Sequence, residues 1–241
     1  MKVALIHDWL YTFAGAEGVL KEIATLFPNS SLFTTVDFLN AKKYFNVNQV
    51  YPSFIQMLPF SKEYRRNYLP LMPFAISKFN LSKYDIILSS SNAIAKGVKT
   101  RKNQLHICYC HTPMRYAWDL RSQYFNEADI KGLKKRAADF ILDKIKGWDY
   151  DNSQSVDYFI ANSKFIRDRV KNCYGRDAVV INPPVDVESF SLVQEKEDYY
   201  LAASRFVPYK KINLIVAAFT KMPDKKLVVI GDGPDFEKTK K

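Results

Sequence analysis

Three stretches of this sequence put charged or titratable side chains where an apolar run gives way to a loop. In AASRFVPYKKINLIVAAF the apolar run ends at Arg205, and a helical pattern opens around Lys210 and Lys211. Cations at a helix N-terminus oppose the macrodipole, at roughly 0.3–1 kcal/mol each when exposed. An anion bound among the N–H groups there would remove that penalty. A solvated basic turn accounts for the same residues, and this stretch alone leaves both readings standing. In HDWLYTFAGAEGVLKEIATLF, Gly15 and Ala16 would let backbone approach a phosphate or sugar closely, and Glu17 suits the first helical turn. The pattern is not GxGxxG, so the dinucleotide fingerprint is unmet and a plain tight turn accounts for it as it stands. In HICYCHTPMRYAWD, His111 falls where a strand emerges, the usual place for a functional side chain in a parallel sheet. Arg115 and Asp119 follow, with Tyr116 and Trp118 as a stacking surface; an ordinary loop with an aromatic anchor is the plainer account.

Other side chains read as structure. His106, Cys108 and Cys110 alternate along one strand with no CxxC pair, so packing is preferred over a zinc site and no metal is expected. In YFIANSKFIRDRV, Asn162 or Ser163 is a good N-cap, and capping is reason enough for either. SKEYRRNYLPLMPFAISKF mixes bases with aromatics, and KGLKKRAADFILDKIKGW puts bases on an amphipathic helix. Either could rest on an anionic membrane, although solvated faces over a core are the default.

The elements that must position these residues alternate. Strands are expected at Val3–Ile6, Ser31–Val36, Tyr84–Leu88, Leu105–Tyr109, Tyr158–Ala161, Val179–Ile181, Tyr199–Ala203 and Leu227–Ile230. Helical patterns at Ala16–Leu26, Lys164–Cys173 and Lys211–Met222 lie between them. Several strands are apolar on both faces, as in a covered parallel sheet, and the alternation argues a doubly wound α/β architecture. The segment INPPVDVESFSLVQEKED interrupts it with two prolines and an acidic stretch. The expected layout is a domain over 1–181, a crossover over 182–197 and an incomplete domain over 198–241. The closing GDGPDFEKTKK, after the strand KLVVI, starts a strand-turn-helix unit that stops short.

Bulk composition narrows the class. With 47% hydrophobic and 25% charged residues, the 241-residue chain has an ordinary globular composition. No apolar stretch approaches the ~18–20 residues of a membrane span, and MKVALIHDWL reads as a first strand rather than a secretory segment. The 3 cysteines form no disulfide framework, which fits a reducing cytosol. A net charge of +11 implies attraction to polyanions: nucleic acid, an anionic leaflet or a phosphorylated substrate.

Taken in order, HDWL…GAEGVL, CHTPMRYAWDL, ANSKFIRDRV, NPPVD and SRFVPYKKINLIVAAF followed by VVIGDGP resemble the family-4 retaining glycosyltransferases of the GT-B fold. The likeness is to bacterial mannosyltransferase-like members that build surface polysaccharides, and it spans nearly the whole chain. It implies a complete N-terminal Rossmann-like domain on the acceptor side and the beginning of a second, nucleotide-sugar-binding one. By position it makes Arg205 and Lys211 the pair that grips the donor diphosphate and Gly15 and Ala16 the glycine loop against the donor. The family more often has two glycines there, so Ala16 is a departure. It makes His111 the active-site histidine near the transferred sugar; Arg115, Asp119 and Glu17, read from their own stretches, are expected as further substrate contacts. It implies no metal and no cofactor beyond the donor, GDP-mannose, and a lipid-linked or glycan acceptor. The expected location is the cytoplasm, peripheral on the inner face of the membrane, with no nucleic acid bound.

The resemblance also implies a second domain that runs on beyond Lys241, so this chain is expected to be C-terminally truncated and poorly active by itself. A second hypothesis is a non-catalytic remnant that binds membrane or another chain. A third, nucleic-acid binding, finds no recognised module.

Overall fold

A computed structural model describes residues 1–127, 129–207 and 210–239. Pro208, Tyr209, Lys240 and Lys241, which fall within stretches quoted above, lie outside the described residues. Two compact units emerge, Met1–Val185 and Asp186–Lys241.

The first unit is built on one parallel sheet of seven strands. These are β1 (Val3–His7), β2 (Ser31–Thr34), β3 (Gln49–Pro52), β4 (Ile86–Ser91), β5 (Leu105–Cys110), β6 (Tyr158–Ala161) and β7 (Ala178–Val180). Their spatial order is β3-β2-β1-β4-β5-β6-β7. The helices are α1 (Gly15–Leu26), α2 (Met72–Ser77), α3 (Arg121–Glu127), α4 (Gly132–Ser153) and α5 (Lys164–Tyr174).

All five residues of β1 are buried. The two-residue period of the pleat sends them to opposite faces. Val3 and Leu5 pack with Leu20 and Ala24 of α1, whereas Ala4 and Ile6 join the core formed with Met72, Ile76, Leu142 and Ile145. A strand covered on both sides must be apolar throughout, which is why VALI reads so plainly as one. Cys108 and Cys110 are free, fully buried thiols packed with Phe159, Ile166, Val170 and Tyr174, as the packing reading expects.

Two elements differ from the sequence expectation for tertiary reasons. β3 reads weakly because it is short and ends in Pro52, but it is the sheet edge, where a missing N–H is tolerated. β4 starts at Ile86 and runs through Ser89–Ser91, residues of turn-like propensity held in the ladder by parallel pairing with β1 and β5.

The second unit is small. β8 (Tyr200–Ala203) pairs in parallel with β9 (Leu227–Ile230), with α6 (Ile212–Phe219) between them and α7 (Phe236–Thr239) after them. Its GDG turn is tied to the loop that bears Arg205. Ser204 N–H donates to Ile230 O at 3.0 Å, Phe206 N–H to Asp232 O at 2.8 Å, and Asp235 N–H to Phe206 O at 3.1 Å. Gly231 and Gly233 have φ of +146° and +152°, and a Cβ on either would run into the carbonyl of Ser204 or Phe206. Glycine is therefore required at both places by backbone crowding as well as by φ. Residues 181–199, which lead into this unit, are all exposed and hold only a single 3-10 turn at Val187–Ser189 between β7 and β8.

Candidate active site

Chain order and sheet order part company at β1. From β1 the chain moves out to β2 and β3, then returns to place β4 on the other side of β1. The connections leave β1 and β4 in opposite directions, and the crevice between their carboxyl ends is where such sheets hold ligands. His7 closes β1, paired in register with Ser90 of β4, and His111 follows the last residue of β5.

A chain of hydrogen bonds crosses this crevice. Ala14 N–H donates to Oε2 of Glu17 at 3.0 Å, so Glu17 caps the start of α1. Its other oxygen, Oε1, lies 3.4 Å from Nε2 of His7. Nδ1 of His7 is 3.1 Å from Ser90 Oγ, which is 2.8 Å from Nε2 of His111. His7 and Ser90 are fully buried, and Glu17 and His111 nearly so. Burial, reinforced by the charge of His7 and only partly opposed by Glu17, holds the His111 imidazole down to about 4, so it is neutral near pH 7. For Glu17 burial alone would raise the carboxyl; hydrogen bonding from His7, its charge and the Ala14 N–H outweigh that and bring it below the ordinary range.

Two neighbours brace this floor. Asp8, wholly buried, accepts four backbone N–H groups, from Asn92 (2.5 Å), Ala93 (3.0 Å), Ile94 (2.8 Å) and Ala95 (2.6 Å). It thereby ties the loop after β4 to the end of β1. Asn162 Nδ2 donates to the His111 carbonyl at 3.1 Å, while Ser163 supplies the N-cap of α5 by accepting from Ile166 N–H at 3.2 Å. The sequence motif thus divides its labour: one residue caps and the other steadies His111.

The other expected site residues fall into separate groups. Gly15 and Ala16 start α1, and their N–H groups precede the first intrahelical bond, Gly18 N–H to Ala14 O at 2.9 Å. Gly15 is exposed and a Cβ there would meet nothing, so no contact within the described chain requires glycine. Arg115 is half-buried in the turn after His111. Asp119 is gripped by the guanidinium of Arg169 from α5, Nη2 to Oδ1 at 2.9 Å with a second contact from Nη1. Burial would raise its carboxyl, but Arg169 outweighs this and holds it low. The Asp119 carboxylate is thus already engaged.

Arg205 and Lys211 lie in the second unit, both exposed, on either side of the loop between β8 and α6. Lys211 is the N-cap of α6 and takes a left-handed conformation, φ 55° and ψ 34°. A side-chain-bearing residue is strained there by about 1 kcal/mol or more. A lysine also brings no oxygen to cap the helix and opposes its dipole. Among the described residues, no three His, Cys, Asp or Glu side chains gather closely enough to hold a metal ion, and no helix is long and apolar enough to cross a membrane.

His7, Asp8 and Ser90 did not stand out in the sequence as site residues. Ser90 is 83 positions from His7, and a run of three serines reads as a turn.

Residues 15–189 match the family model described as Glycosyltransferase Family 4. No curated protein matches the chain in sequence. Among solved structures it resembles Anabaena HepE in complex with UDP at 15% identity and a TM-score of 0.59, covering 99% of this chain and 63% of that one. The UDP-glucose complex of HepE gives 15% identity and a TM-score of 0.56, with 95% and 60% covered. A glycosyltransferase from Rickettsia africae ESF-5 gives 16% identity and a TM-score of 0.50, with 98% and 61% covered. The chain therefore spans 60–63% of the length of these proteins.

Proposed function

The chain belongs to glycosyltransferase family 4, and on that premise we propose that it carries the acceptor side and the first donor-gripping elements of a retaining hexosyltransferase. The reaction moves mannose from GDP-mannose onto a lipid-linked or polysaccharide acceptor in surface-glycan synthesis. The observation that carries this reading is the hydrogen-bonded link from Glu17, in the first turn of α1 that Gly15 and Ala16 begin, through His7 and Ser90 to His111 at the carboxyl edge of β1, β4 and β5, where an α/β sheet holds its ligand.

The α1 N-terminus offers N–H groups and a positive dipole end to the donor phosphate or sugar. Neutral His111 sits at the transferred sugar as a hydrogen-bonding partner. Arg205 and Lys211 hold the diphosphate, on which charge develops as the glycosidic bond breaks. Cationic side chains and helix ends neutralise that charge in this reading, with no metal required. Arg115 contributes positive charge near the acceptor, while Asp119 acts by holding Arg169. HepE was solved with UDP and with UDP-glucose, which supports nucleotide sugars as the donor class. The net charge of +11 suits a pyrophosphate-linked lipid acceptor on the cytoplasmic face of a membrane.

Calorimetric titration with GDP-mannose, UDP-glucose, GDP and UDP, alongside transfer assays on the full chain, tests the proposal. Lys211→Gly is the informative variant. It relieves the left-handed strain, so the second unit should be equally or more stable, while donor affinity drops at least tenfold. Unchanged affinity in Lys211→Gly and Arg205→Ala would overturn the diphosphate assignment.

A further inference from the structure

The side chains on the crevice floor form one hydrogen-bonded chain with unlike ends. Glu17 stands at one end, and at the other is Nδ1 of His111, which has no hydrogen-bond partner among the described residues. Proton counting sets the direction of every bond between them. Glu17 is an ionised carboxylate, held below its ordinary range against the pull of burial, so it only accepts. Nε2 of His7 must therefore direct its proton at Glu17. When that is the only proton on the ring, Nδ1 of His7 is bare and accepts the Ser90 hydroxyl proton across 3.1 Å. The Ser90 oxygen has then donated its one proton and must accept from Nε2 of His111 across 2.8 Å. His111, neutral because burial holds it down to about 4, is left with a bare Nδ1. A second proton on His7 leaves the bond to Glu17 as it is and turns the other two round: Nδ1–H donates to Ser90, Ser90 donates to Nε2 of His111, and the single proton of His111 stands on Nδ1.

We infer that Glu17, His7 and Ser90 are positioning residues that set the tautomer His111 presents to the crevice, an acceptor while His7 holds one proton and a donor when it holds two. The inference deepens the transferase reading and rests on it only for the ligand, a sugar hydroxyl at Nδ1 of His111. The same chain can carry a proton. If a hydroxyl gives its proton to Nδ1 and its oxygen keeps the electron pair of the broken O–H bond, the Nε2 proton of His111 passes to Ser90 and the Ser90 proton to Nδ1 of His7. Each step breaks one bond to hydrogen and makes another, and the charge comes to rest on His7 beside the Glu17 carboxylate. The groups facing His7 are Glu17 from α1 and Ser90 from β4, with His111 beyond Ser90.

Two-bond ¹H–¹⁵N correlation spectra of the ¹⁵N-histidine-labelled full chain read the tautomers directly, and the chain has only 3 histidines to assign. While His7 is singly protonated, His111 should show Nε2–H; as His7 takes its second proton, His111 should invert to Nδ1–H with the same midpoint. A His111 that keeps one tautomer throughout, or inverts at another pH, overturns the inference. Ser90→Ala should uncouple the two rings, whereas Ser90→Thr, which keeps a hydroxyl, should preserve the coupling. In Glu17→Gln the amide can donate as well as accept, so His7 is no longer pinned and His111 should show mixed tautomers. Should a variant fail to fold, the wild-type titration still decides. No donor or acceptor enters the measurement, so failure of the transferase reading and failure of the relay are seen separately.

Discussion

At the scale of single residues, Asp8 does the most structural work near the crevice. A hydrogen bond to a charged group contributes roughly 1.5–3 kcal/mol, and Asp8 accepts four, three of them buried and the one from Asn92 partly so. Asp8→Asn turns an N–H₂ group toward backbone N–H donors and should cost about 3 kcal/mol or more, read as a fall in the urea midpoint with little change in slope. The two buried neutral histidines give a pH signature. Burial holds both His106 and His111 down to about 4 from an ordinary 6.5, with Lys96 also lowering His106 and His7 lowering His111. Because the folded values lie below the unfolded ones, the unfolded chain takes up protons first as the pH falls. Their contribution is therefore full above pH 6.5, declines toward about pH 4 and is flat below. It amounts to on the order of 3 kcal/mol per histidine at most. Unfolding measured between pH 7 and 4.5 should show this decline, and His106→Gln with His111→Gln should flatten it.

Among the elements, α4 shows how a helix of mostly exposed residues is pinned. Its buried positions are Leu142, Ile145, Asp149 and Ser153, one stripe at helical spacing. Asp149 meets Nζ of Lys96, from the turn after β4, and also accepts from Trp118 Nε1 and Tyr174 Oη, each at 2.8 Å. Both members of the ion pair are buried, Lys96 donates to the Ala93 carbonyl at 2.8 Å as well, and its ammonium lies over the Tyr174 ring. Burial alone would lower the Lys96 ammonium, but Asp149 outweighs it. Asp149→Ala leaves that charge buried without its counter-ion and should cost roughly 3–5 kcal/mol, whereas Lys96→Met with Asp149→Leu should cost far less than the two single changes summed. A double-mutant cycle of thermal unfolding measures the difference. Much of this architecture is legible in the residue pattern. β1, β6 and β9 are runs apolar on both faces, and α5 carries its cap in Ser163. What stays hidden is whatever depends on distant pairing. The serines of β4 are strand only because β1 and β5 flank them, and Lys96 meets a partner far along the chain. His111, Gly15 and Glu17 could be singled out from their place after strands, but the His7–Ser90 link between them could not.

The whole molecule pairs two units of very unequal cohesion. The first has cores on both faces of a seven-stranded sheet. In the second, Phe206 and Ile212 are the buried apolar side chains among the described residues, while Tyr200, Leu201 and Ile230 of its strands are more than half exposed. A two-stranded sheet with so little core is marginal. Amides of β8 and β9 should therefore exchange with deuterium much faster than those of β1, β4 and β5, and limited proteolysis should cut first within the exposed residues 181–199. The same imbalance makes exchange a sensitive reporter of where the donor binds. A ligand that binds only the folded second unit stabilises it by RT ln(1 + [L]/Kd), about 2.7 kcal/mol at a hundred times Kd. Exchange there should slow about a hundredfold when GDP-mannose or UDP-glucose is present at that excess. Such protection, absent in Arg205→Ala and Lys211→Gly, ties the diphosphate to the loop between β8 and α6. Protection confined to the crevice of the first unit would instead move the donor to the start of α1 and leave those two cations without a role in holding it.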